Sequence, residues 1–256
     1  MAALAGQLVA LTRPREQIEP LALRLEALGA RVLRLPLIEI APPEAPESVR
    51  EFAPRLGQFD LAFFVSPNAV RHALDLLPRA LWPATLRVAA VGPGTARALQ
   101  EHGFCDVIVP ASGFDSESVL ALPAFADEAV ARRRMLILRG NGGRELLADS
   151  LRQRGAEVEL LGCYRRRAAP VNVPVLLSLL ARGELAAMVF SSSEAVGFLA
   201  EALGGEARGL FSRLPLFASH PRIAEALRMH GGSEIVLTQP GDDGVCAALL
   251  ARLGRP

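Results

Sequence analysis

Short apolar runs alternate with amphipathic segments through the first half of the chain. The apolar runs predict strands at Leu8–Leu11, Val32–Leu35, Leu61–Val65, Arg87–Val91 and Val107–Val109. The amphipathic segments predict helices at Ile18–Leu28, at Pro67–Leu77, at Gly94–Glu101 and from Asp115 onward. Short strands that alternate with helices of about ten residues are typical of parallel sheets with helices on both faces.

The second half of the chain repeats the pattern of the first. "VGPGTARALQEHG" at Val91–Gly103 and "SHPRIAEALRMHG" at Ser219–Gly231 share a proline, an Ala-x-Ala-Leu core and a His-Gly ending. Four further pairs keep the same order and nearly the same offset: Leu8–Arg13 with Arg134–Arg139, Leu23–Val32 with Asp149–Val158, Phe64–Val70 with Phe190–Val196, and Val107–Leu120 with Ile235–Ala248. One register held across five elements indicates an internal duplication.

The duplication predicts two doubly wound parallel-sheet domains. Two proline-rich segments at equivalent positions, Leu35–Glu47 and Leu161–Pro174, predict where the chain changes domain. Crossing at both places gives a discontinuous domain, residues 1–37 and 166–256, and a second domain, residues 38–165. Ligands of parallel sheets bind beyond the carboxyl ends of the strands, so we expect the site in the cleft between the domains.

Composition narrows the function classes. The 256 residues are 51% hydrophobic and carry a formal net charge of +1, which argues against a general nucleic-acid binder. All 28 basic residues are arginine, so no Schiff-base lysine or P-loop lysine is available. Arginine suits bidentate recognition of carboxylate or phosphate. A high-GC genome would produce the same bias and is the simpler explanation.

Cysteine and histidine spacing gives no sign of a metal site. Cys105, Cys163 and Cys246 are far apart and odd in number, so we expect neither a disulfide framework nor a Cys-x-x-Cys site. The amino-terminal segment lacks a basic start and a cleavage site, and no apolar run reaches transmembrane length. We expect a soluble, cytoplasmic monomer without metal, nucleic-acid or membrane partners.

Small polar residues and arginines follow the predicted strands of both copies. Singly, serine, threonine and asparagine at such positions are helix caps. Together with helix N-termini at one edge of two sheets, they favour a polyanionic ligand. The candidate residues are Arg13, Ser66, Asn68, Thr95, Arg139, Gly140, Ser191, Ser192 and Arg222.

The glycine-rich turns and the serine run do not match known catalytic motifs. "GPGTAR" and "GNGGRE" have Arg97 and Glu145 where G-x-G-x-x-G needs its third glycine, which argues against a dinucleotide site. "SSS" at Ser191–Ser193 lacks the G-x-S-x-G context of a hydrolase.

Tyr164 is the only tyrosine and lies on the second crossover, in "GCYRRR". A phenol at this position could donate a proton to a departing hydroxyl. Packing against the crossover explains the same position equally well. The arginines that follow, Arg165–Arg167, are either anion ligands or a solvated face.

Seven segments in a fixed order carry a family resemblance. In chain order they are "LTRP", "FVSPNAV", "VGPGTARAL", "FDSESVLALP", "ILRGNGGRELLADSLRQRGAEVELLGCYRR", "FSSSEAV" and "HPRIAEAL". Together they cover nearly the whole chain and resemble the uroporphyrinogen-III synthase family. The resemblance implies two flavodoxin-like α/β domains joined by a two-stranded β-ladder.

The same resemblance implies a lyase of porphyrin (haem) biosynthesis. Its substrate would be hydroxymethylbilane, a linear tetrapyrrole with eight carboxylates, supplied by hydroxymethylbilane synthase upstream. The substrate loses its hydroxyl, ring D is inverted through a spiro intermediate, and the macrocycle closes to uroporphyrinogen III with no metal or organic cofactor. Because the azafulvene cation closes without inversion when no enzyme is present, the protein must hold one substrate shape and assist the departure of the hydroxyl.

The resemblance also implies roles for individual residues. Tyr164 resembles the family's crossover tyrosine, the candidate acid. Thr95 in "VGPGT" matches a family threonine near the substrate and is the second candidate catalytic residue. The matched cleft-facing positions are Arg13, Ser66, Asn68, Arg139, Ser192 and Arg222. "SHPRIA" departs from the Gly-Pro-Thr-Thr-type turn of many members, so that threonine is absent and Arg222 is its stand-in.

Two other function classes stay open from the sequence. A non-enzymatic two-lobed protein that binds an anionic small molecule would have the same architecture, but it would saturate at one ligand per chain instead of turning over. A nucleotide-sugar transferase would also have two facing domains, but the glycine turns do not fit phosphate loops.

Overall fold

The computed structural model describes residues 2–142 and 145–254. Residue contacts divide the chain into two compact units. Unit 1 takes the described residues up to Glu39 and those from Arg167 onward, and unit 2 takes Ile40–Arg166. Gly143 and Arg144 of the "GNGGRE" segment lie outside the described residues.

Strands and helices alternate along the described chain. The strands are β1 (Leu8–Leu11), β2 (Arg31–Arg34), β3 (Ile38–Ala41), β4 (Leu61–Phe64), β5 (Arg87–Ala90), β6 (Arg134–Gly140), β7 (Glu157–Ala168), β8 (Leu185–Phe190), β9 (Leu216–Ala218) and β10 (Ile235–Leu237). The helices are α1 (Arg15–Ala27), α2 (Pro46–Arg50), α3 (Pro67–Leu76), α4 (Pro93–Glu101), α5 (Ser116–Leu120), α6 (Asp127–Val130), α7 (Leu146–Gln153), α8 (Val173–Ala181), α9 (Ser193–Leu203), α10 (Ala207–Phe211), α11 (Pro221–Met229) and α12 (Gly241–Leu253).

Unit 1 contains a five-stranded parallel sheet in the order β10-β9-β8-β1-β2. Numbered along the unit, this is the doubly wound order 2-1-3-4-5. Helices α1 and α12 pack on one face, where Leu21 and Leu249 meet Val9 and Leu11 of β1. The four residues of β1 are all buried, which explains the uninterrupted apolar run in the sequence.

Unit 2 contains a sheet in the order β3-β7-β6-β4-β5, in which β4 to β7 pair in parallel. Successive residues of a strand point to opposite faces. Phe64 therefore packs with Trp82 on one face, and Phe63 packs with Phe125 on the other. Because both faces are covered at the centre of the sheet, β4 is apolar and buried throughout. The prediction of an α/β fold with parallel sheets is confirmed.

The prediction of a strand at Val107–Val109 is wrong. Ile108 forms only an isolated parallel bridge with Ala89 of β5. Asp106 has a positive φ of 53°, and Pro110 lacks the N–H that a longer ladder would need.

Sequence patterning did not predict β3, which lies inside the proline-rich segment Leu35–Glu47. The chain passes from unit 1 to unit 2 within β3, after Glu39, and returns within β7, after Arg166. Strands β3 and β7 are hydrogen-bonded neighbours, and beyond them the Ala169 N–H donates to the Leu37 carbonyl oxygen at 3.0 Å. No helix within residues 2–142 or 145–254 is long and apolar enough to cross a membrane.

Candidate functional site

The carboxyl ends of β4 and β6, with the part of β7 opposite them, bring four predicted site residues together in unit 2. Phe64 ends β4 beside Leu138 of β6, and Ser66 follows it. Gly140 ends β6 opposite Tyr164 of β7, after a shift in register that follows Arg139. Parallel strands end at one edge of the sheet, so Ser66, Arg139, Gly140 and Tyr164 lie at the edge where ligands of such sheets bind.

Tyr164 is buried, with 3% of its surface exposed, and is fixed by two contacts from α3. Its hydroxyl lies 3.2 Å from Ser66 Oγ. Its ring stacks on the His72 imidazole, with centroids 5.9 Å apart and planes at 22°. Ser66 is also the N-cap of α3, where Oγ accepts from the Ala69 N–H at 3.1 Å, so the cap and the phenol are linked.

Gly140 lets the phenol ring approach the backbone of β6. A Cβ at this position would lie 2.7 Å from Tyr164 Cε2 and Cζ, which is closer than any van der Waals contact allows. Glycine is therefore required here by the position of the ring, and no motif in the sequence signals this.

Arg139 is a largely buried cation at the same edge, with 10% of its side chain exposed. Its Nη1 donates to Glu145 Oε1 at 2.7 Å, and its Nη2 donates to the Gly142 carbonyl oxygen. These bonds fix the guanidinium at the edge where Tyr164 lies. They also occupy part of its hydrogen-bonding capacity.

A cavity of about 460 Å³ opens at this edge, entirely within unit 2. Apolar side chains from the sheet and α7 form one part of its wall, and polar groups form the rest. Its lining residues include Phe63, Val65, Val91, Phe114, Ile137, Arg139, Gly140, Asn141, Leu147, Leu160, Tyr164 and Arg166. A second cavity of about 360 Å³ lies at the opposite, amino-terminal edge of the sheet, near Leu61, Arg87 and Met135, away from the predicted residues.

Phe114 is a residue of the larger cavity that the sequence did not single out. The residue is 56% exposed, which is unusual for a phenylalanine. The side chain lies directly on Gly92, where a Cβ would come within 3.0 Å of the Phe114 Cβ. Gly92 of the "GPGT" turn thus makes room for an aromatic wall at the cavity.

Three predicted residues of unit 2, Ser66, Asn68 and Thr95, do not line this cavity, although Ser66 contacts the hydroxyl of Tyr164, which does. Thr95 is 2% exposed and belongs to the buried face of α4. Asn68 is half-buried at the start of α3, where its Oδ1 accepts from Arg71 Nη2 at 2.9 Å. Asn68 and Thr95 both follow strand ends in the sequence, but neither contributes to the cavity wall.

The predicted residues of unit 1 lie at the carboxyl ends of β1, β8 and β9. Arg13 Nη1 pairs with Asp242 Oδ1 at 2.5 Å. Ser192 is the N-cap of α9 but makes no side-chain cap bond, and Ser191 precedes it. Arg222 is exposed, and its backbone N–H donates to His220 Nδ1 at 3.1 Å.

Burial determines the protonation of two groups next to Tyr164. Burial raises the pKa of the Cys163 thiol to about 12, and the thiol donates to the Arg139 carbonyl oxygen at 3.4 Å, so it packs as a neutral group. Burial, and next the charge of Arg71, lower the pKa of His72, while Asp75 partly opposes them.

Among the described residues, no cluster of three His, Cys, Asp or Glu could hold a metal ion.

Comparison with known proteins identifies the family of the chain. The family model described as uroporphyrinogen-III synthase HemD matches residues 19–246. The chain belongs to the uroporphyrinogen-III synthase family. The resemblance drawn from the seven sequence segments is thereby confirmed.

Individual relatives support the family assignment. Uroporphyrinogen-III synthase of Salmonella typhimurium is 42% identical over 163 residues, which is 62% of this chain and 65% of that protein. The synthase of Synechococcus elongatus is 31% identical over 199 residues, covering 75% of this chain and 73% of the relative. The match thus spans less than two thirds of the Salmonella protein.

A solved structure of the same family supports the fold. The crystal structure of a mutant uroporphyrinogen III synthase from the extremely thermophilic bacterium Thermus thermophilus matches with a TM-score of 0.62 and 25% sequence identity. The match covers 96% of this chain and all of that one. The α/β architecture with parallel sheets is therefore that of the family.

Proposed function

We propose that the chain converts hydroxymethylbilane into uroporphyrinogen III by loss of water, inversion of ring D and ring closure. The observation that carries the proposal is the Tyr164 hydroxyl, held 3.2 Å from Ser66 Oγ beside a cavity that also contains Arg139. Family membership supports it, as do relatives that are named for this activity. The binding-protein alternative has no comparable support.

Tyr164 is the proposed acid for the first step. Its O–H proton moves to the hydroxyl oxygen of the substrate while the C–O bond breaks with its electron pair, so water leaves and an azafulvene cation remains. The phenolate that is left faces this cation and stabilises it electrostatically. Ring closure releases a proton from a ring-D carbon, which restores the phenol.

The cavity in unit 2 is proposed to hold one carboxylated pyrrole ring. Its volume lies within the range of about 300–1,000 Å³ that is usual for ligand sites. Phe114 and the apolar wall suit the face of a pyrrole, and Arg139 suits a carboxylate arm. Thr95, which is buried in α4, is proposed to position the turn that begins at Gly92 without contacting the substrate.

The other predicted residues are proposed as ligands of the remaining carboxylates. In unit 2 these are Ser66, Asn68 and Gly140. In unit 1 they are Arg13, Ser191, Ser192 and Arg222. Hydroxyls, backbone N–H groups at helix starts and guanidinium groups are the donors that carboxylates prefer.

We also propose that the two units are flavodoxin-like copies from an internal duplication, joined by a β-ladder formed by β3 and β7. Unit 1 has the strand order 2-1-3-4-5, and unit 2 has the same order if it is counted from β6 and the Ile108 bridge is added. Under this proposal the domains are residues 1–37 with 166–256, and residues 38–165.

The cellular setting follows from the proposed reaction. We propose a cytoplasmic monomer that receives its substrate from hydroxymethylbilane synthase and needs no cofactor. Water loss and ring closure involve no change in oxidation state, so the reaction needs no redox cofactor.

Product isomer analysis tests the proposed function. Freshly generated hydroxymethylbilane is supplied, the products are oxidised, and type I and type III uroporphyrins are separated by chromatography. We expect predominantly type III, formed over many turnovers and in proportion to the protein added. Type I alone, at the rate found in buffer, would contradict the synthase activity, and uptake of one ligand per chain without product would favour the binding protein.

A further inference from the structure

Helix α3 and its N-cap contact the Tyr164 side chain at two places, the hydroxyl and the ring face. Ser66, the N-cap of α3, contacts the hydroxyl, and His72, farther along the helix, stacks on the ring. Gly140 of β6 lies against the ring edge. The orientation of the phenol therefore depends on one helix as well as on its own strand, β7.

His72 is poorly placed to carry a charge. Its Nε2 is buried and has no hydrogen-bond partner among the described residues. In a protonated ring, Nε2 would carry a buried N–H that has no acceptor, and an unsatisfied buried donor is costly. In the neutral ring with its proton on Nδ1, the same nitrogen is an acceptor, and the cost is smaller because no charge is desolvated.

The charged groups around His72 do not change this conclusion. Arg71, on the same helix, lowers the pKa of His72, and Asp75, also on α3, opposes Arg71 only in part. Tyr164 faces the ring from β7. Helices α2 and α4 and strands β4 and β6 also pack against α3, but no charge in their described residues acts on the His72 pKa.

We propose that His72 is a positioning residue for Tyr164, whose neutral imidazole holds the phenol in the orientation for proton transfer and releases it when the imidazole is protonated. This inference rests on the proposed function, because it assigns a role toward the acid of that reaction. Protonation would drive Nε2 toward water to find an acceptor, and the stack on Tyr164 would be lost. The phenol would then keep its contacts with Ser66 and Gly140 but lose the ring that holds its face, and its orientation would change.

A spectroscopic experiment tests the coupling without any reaction. Because Tyr164 is the only tyrosine, protein labelled with ring-¹³C tyrosine gives the signal of this one residue. We expect that signal to shift in a single step between pH 8 and pH 5, with a midpoint below 6.5, the ordinary value for the histidine pKa. The step should be absent in His72→Phe.

His102→Phe is the matched control for the labelling experiment. His102 lies just after α4, but its ring is exposed and its Nδ1 contacts the Ala98 carbonyl oxygen at 2.8 Å. The control should retain the Tyr164 step with an unchanged midpoint. A step that persists in His72→Phe would overturn the proposal.

Kinetics test whether the coupling affects catalysis. The initial rate of type III formation is measured for wild type, His72→Phe and His72→Ala, with melting temperatures to verify folding. We expect His72→Ala to lose about tenfold in kcat with little change in KM, since an orientation and not a substrate contact is lost. His72→Phe keeps a stacking ring that cannot be protonated, so its kcat should no longer fall as the pH drops from about 7 to about 5.5.

The outcomes separate this inference from the proposed function. If His72→Ala, correctly folded, has the wild-type kcat, or if His72→Phe keeps the acid fall of wild type, His72 does not position the acid. If wild type itself forms only type I product, the proposed function fails, whereas the labelled Tyr164 signal still decides whether His72 controls the phenol.

Discussion

At the scale of single residues, the chemistry of unit 2 depends on how tightly Tyr164 is held. Ser66, His72 and Gly140 contact the side chain at the hydroxyl, the ring face and the ring edge. A side chain fixed in this way transfers a proton without first losing rotational freedom. Substitutions at these positions should therefore lower the rate of proton transfer.

Tyr164→Phe removes the proposed proton donor and little else. We expect type III formation to slow by roughly 100-fold or more, since general acid catalysis typically contributes at least this factor. The melting temperature should change little, because within residues 2–142 and 145–254 the lost hydroxyl has one side-chain hydrogen bond, to Ser66 Oγ. Unchanged turnover together with unchanged melting would remove Tyr164 from the mechanism.

Gly140→Ala tests the close approach of the ring to β6. The added methyl would lie 2.7 Å from the ring, so Tyr164 must move, and we expect a loss of about 1–3 kcal/mol in the free energy of unfolding. The rate of type III formation should also fall. Gly162→Ala in β7 is the control, because no atom lies within 4 Å of its added Cβ, and both quantities should stay near wild type. Equal stability of the two variants in urea denaturation would contradict this account.

Much of the site could be predicted at the residue scale, but the contacts within it could not. Tyr164 stood out because the chain contains one tyrosine and it lies on a crossover. Ser66 and Tyr164 are 98 positions apart, and nothing in the local pattern shows that their oxygens meet. His72 and Phe114 were missed for the same reason, because their roles depend on packing between distant segments.

At the scale of elements, helix starts are of two kinds. In one the side chain of the N-cap residue accepts a hydrogen bond from the helix backbone, and in the other it does not. Asn172 Oδ1 accepts from the Val175 N–H at 3.2 Å and so caps α8. Ser192 has the position of an N-cap for α9, but its hydroxyl makes no cap bond. A free hydroxyl at a helix start is available to a carboxylate, whereas a hydrogen-bonded cap stabilises the fold.

This difference predicts opposite effects for two alanine substitutions. Asn172→Ala should reduce the free energy of unfolding by about 1 kcal/mol and leave the KM for hydroxymethylbilane unchanged. Ser192→Ala should leave stability nearly unchanged and raise KM several-fold. Urea denaturation and initial-rate kinetics on both variants measure the two quantities. A stability loss in Ser192→Ala with an unchanged KM would show that this serine is an ordinary cap.

The bounds of a strand could be predicted where all its residues are buried. The prediction failed where backbone geometry limits the strand pairing. The fully buried β1 and β4 were predicted to within one residue from their apolar runs. The Val107–Val109 strand failed because Asp106 and Pro110 limit the pairing to Ile108. Strand β3 was not predicted, because prolines on both sides of it argue against a strand.

At the scale of the whole molecule, the two units differ in how far apart their paired strands lie along the chain. In unit 1, β1 pairs with β8, joining Leu8 to Leu185. In unit 2, the pairing of the central strands joins Leu61 of β4 to Met135 of β6. Pairing over longer separations forms more slowly, because a larger loop must close first.

The longer loop predicts the order of refolding. After dilution from denaturant, amides of β4 and β6 should gain protection from hydrogen exchange before those of β1 and β8. Pulsed exchange followed by peptide mass spectrometry measures both sets in one experiment. Unit 1 is the internal reference for unit 2, and protection of β1 and β8 at the same time or earlier would contradict the expectation.

The backbone hydrogen bond between Ala169 and Leu37 holds together the two points of the chain that flank unit 2. In the sequence, unit 2 is an insertion into unit 1. The chain segments that lead into and out of the insertion are joined by this hydrogen bond. An insert with closely spaced ends adds little strain to its host, whatever its length. Recombination or engineering at this junction could therefore exchange unit 2 for another module without disturbing the strand order of unit 1, while every group that contacts Tyr164 would travel with the exchanged piece.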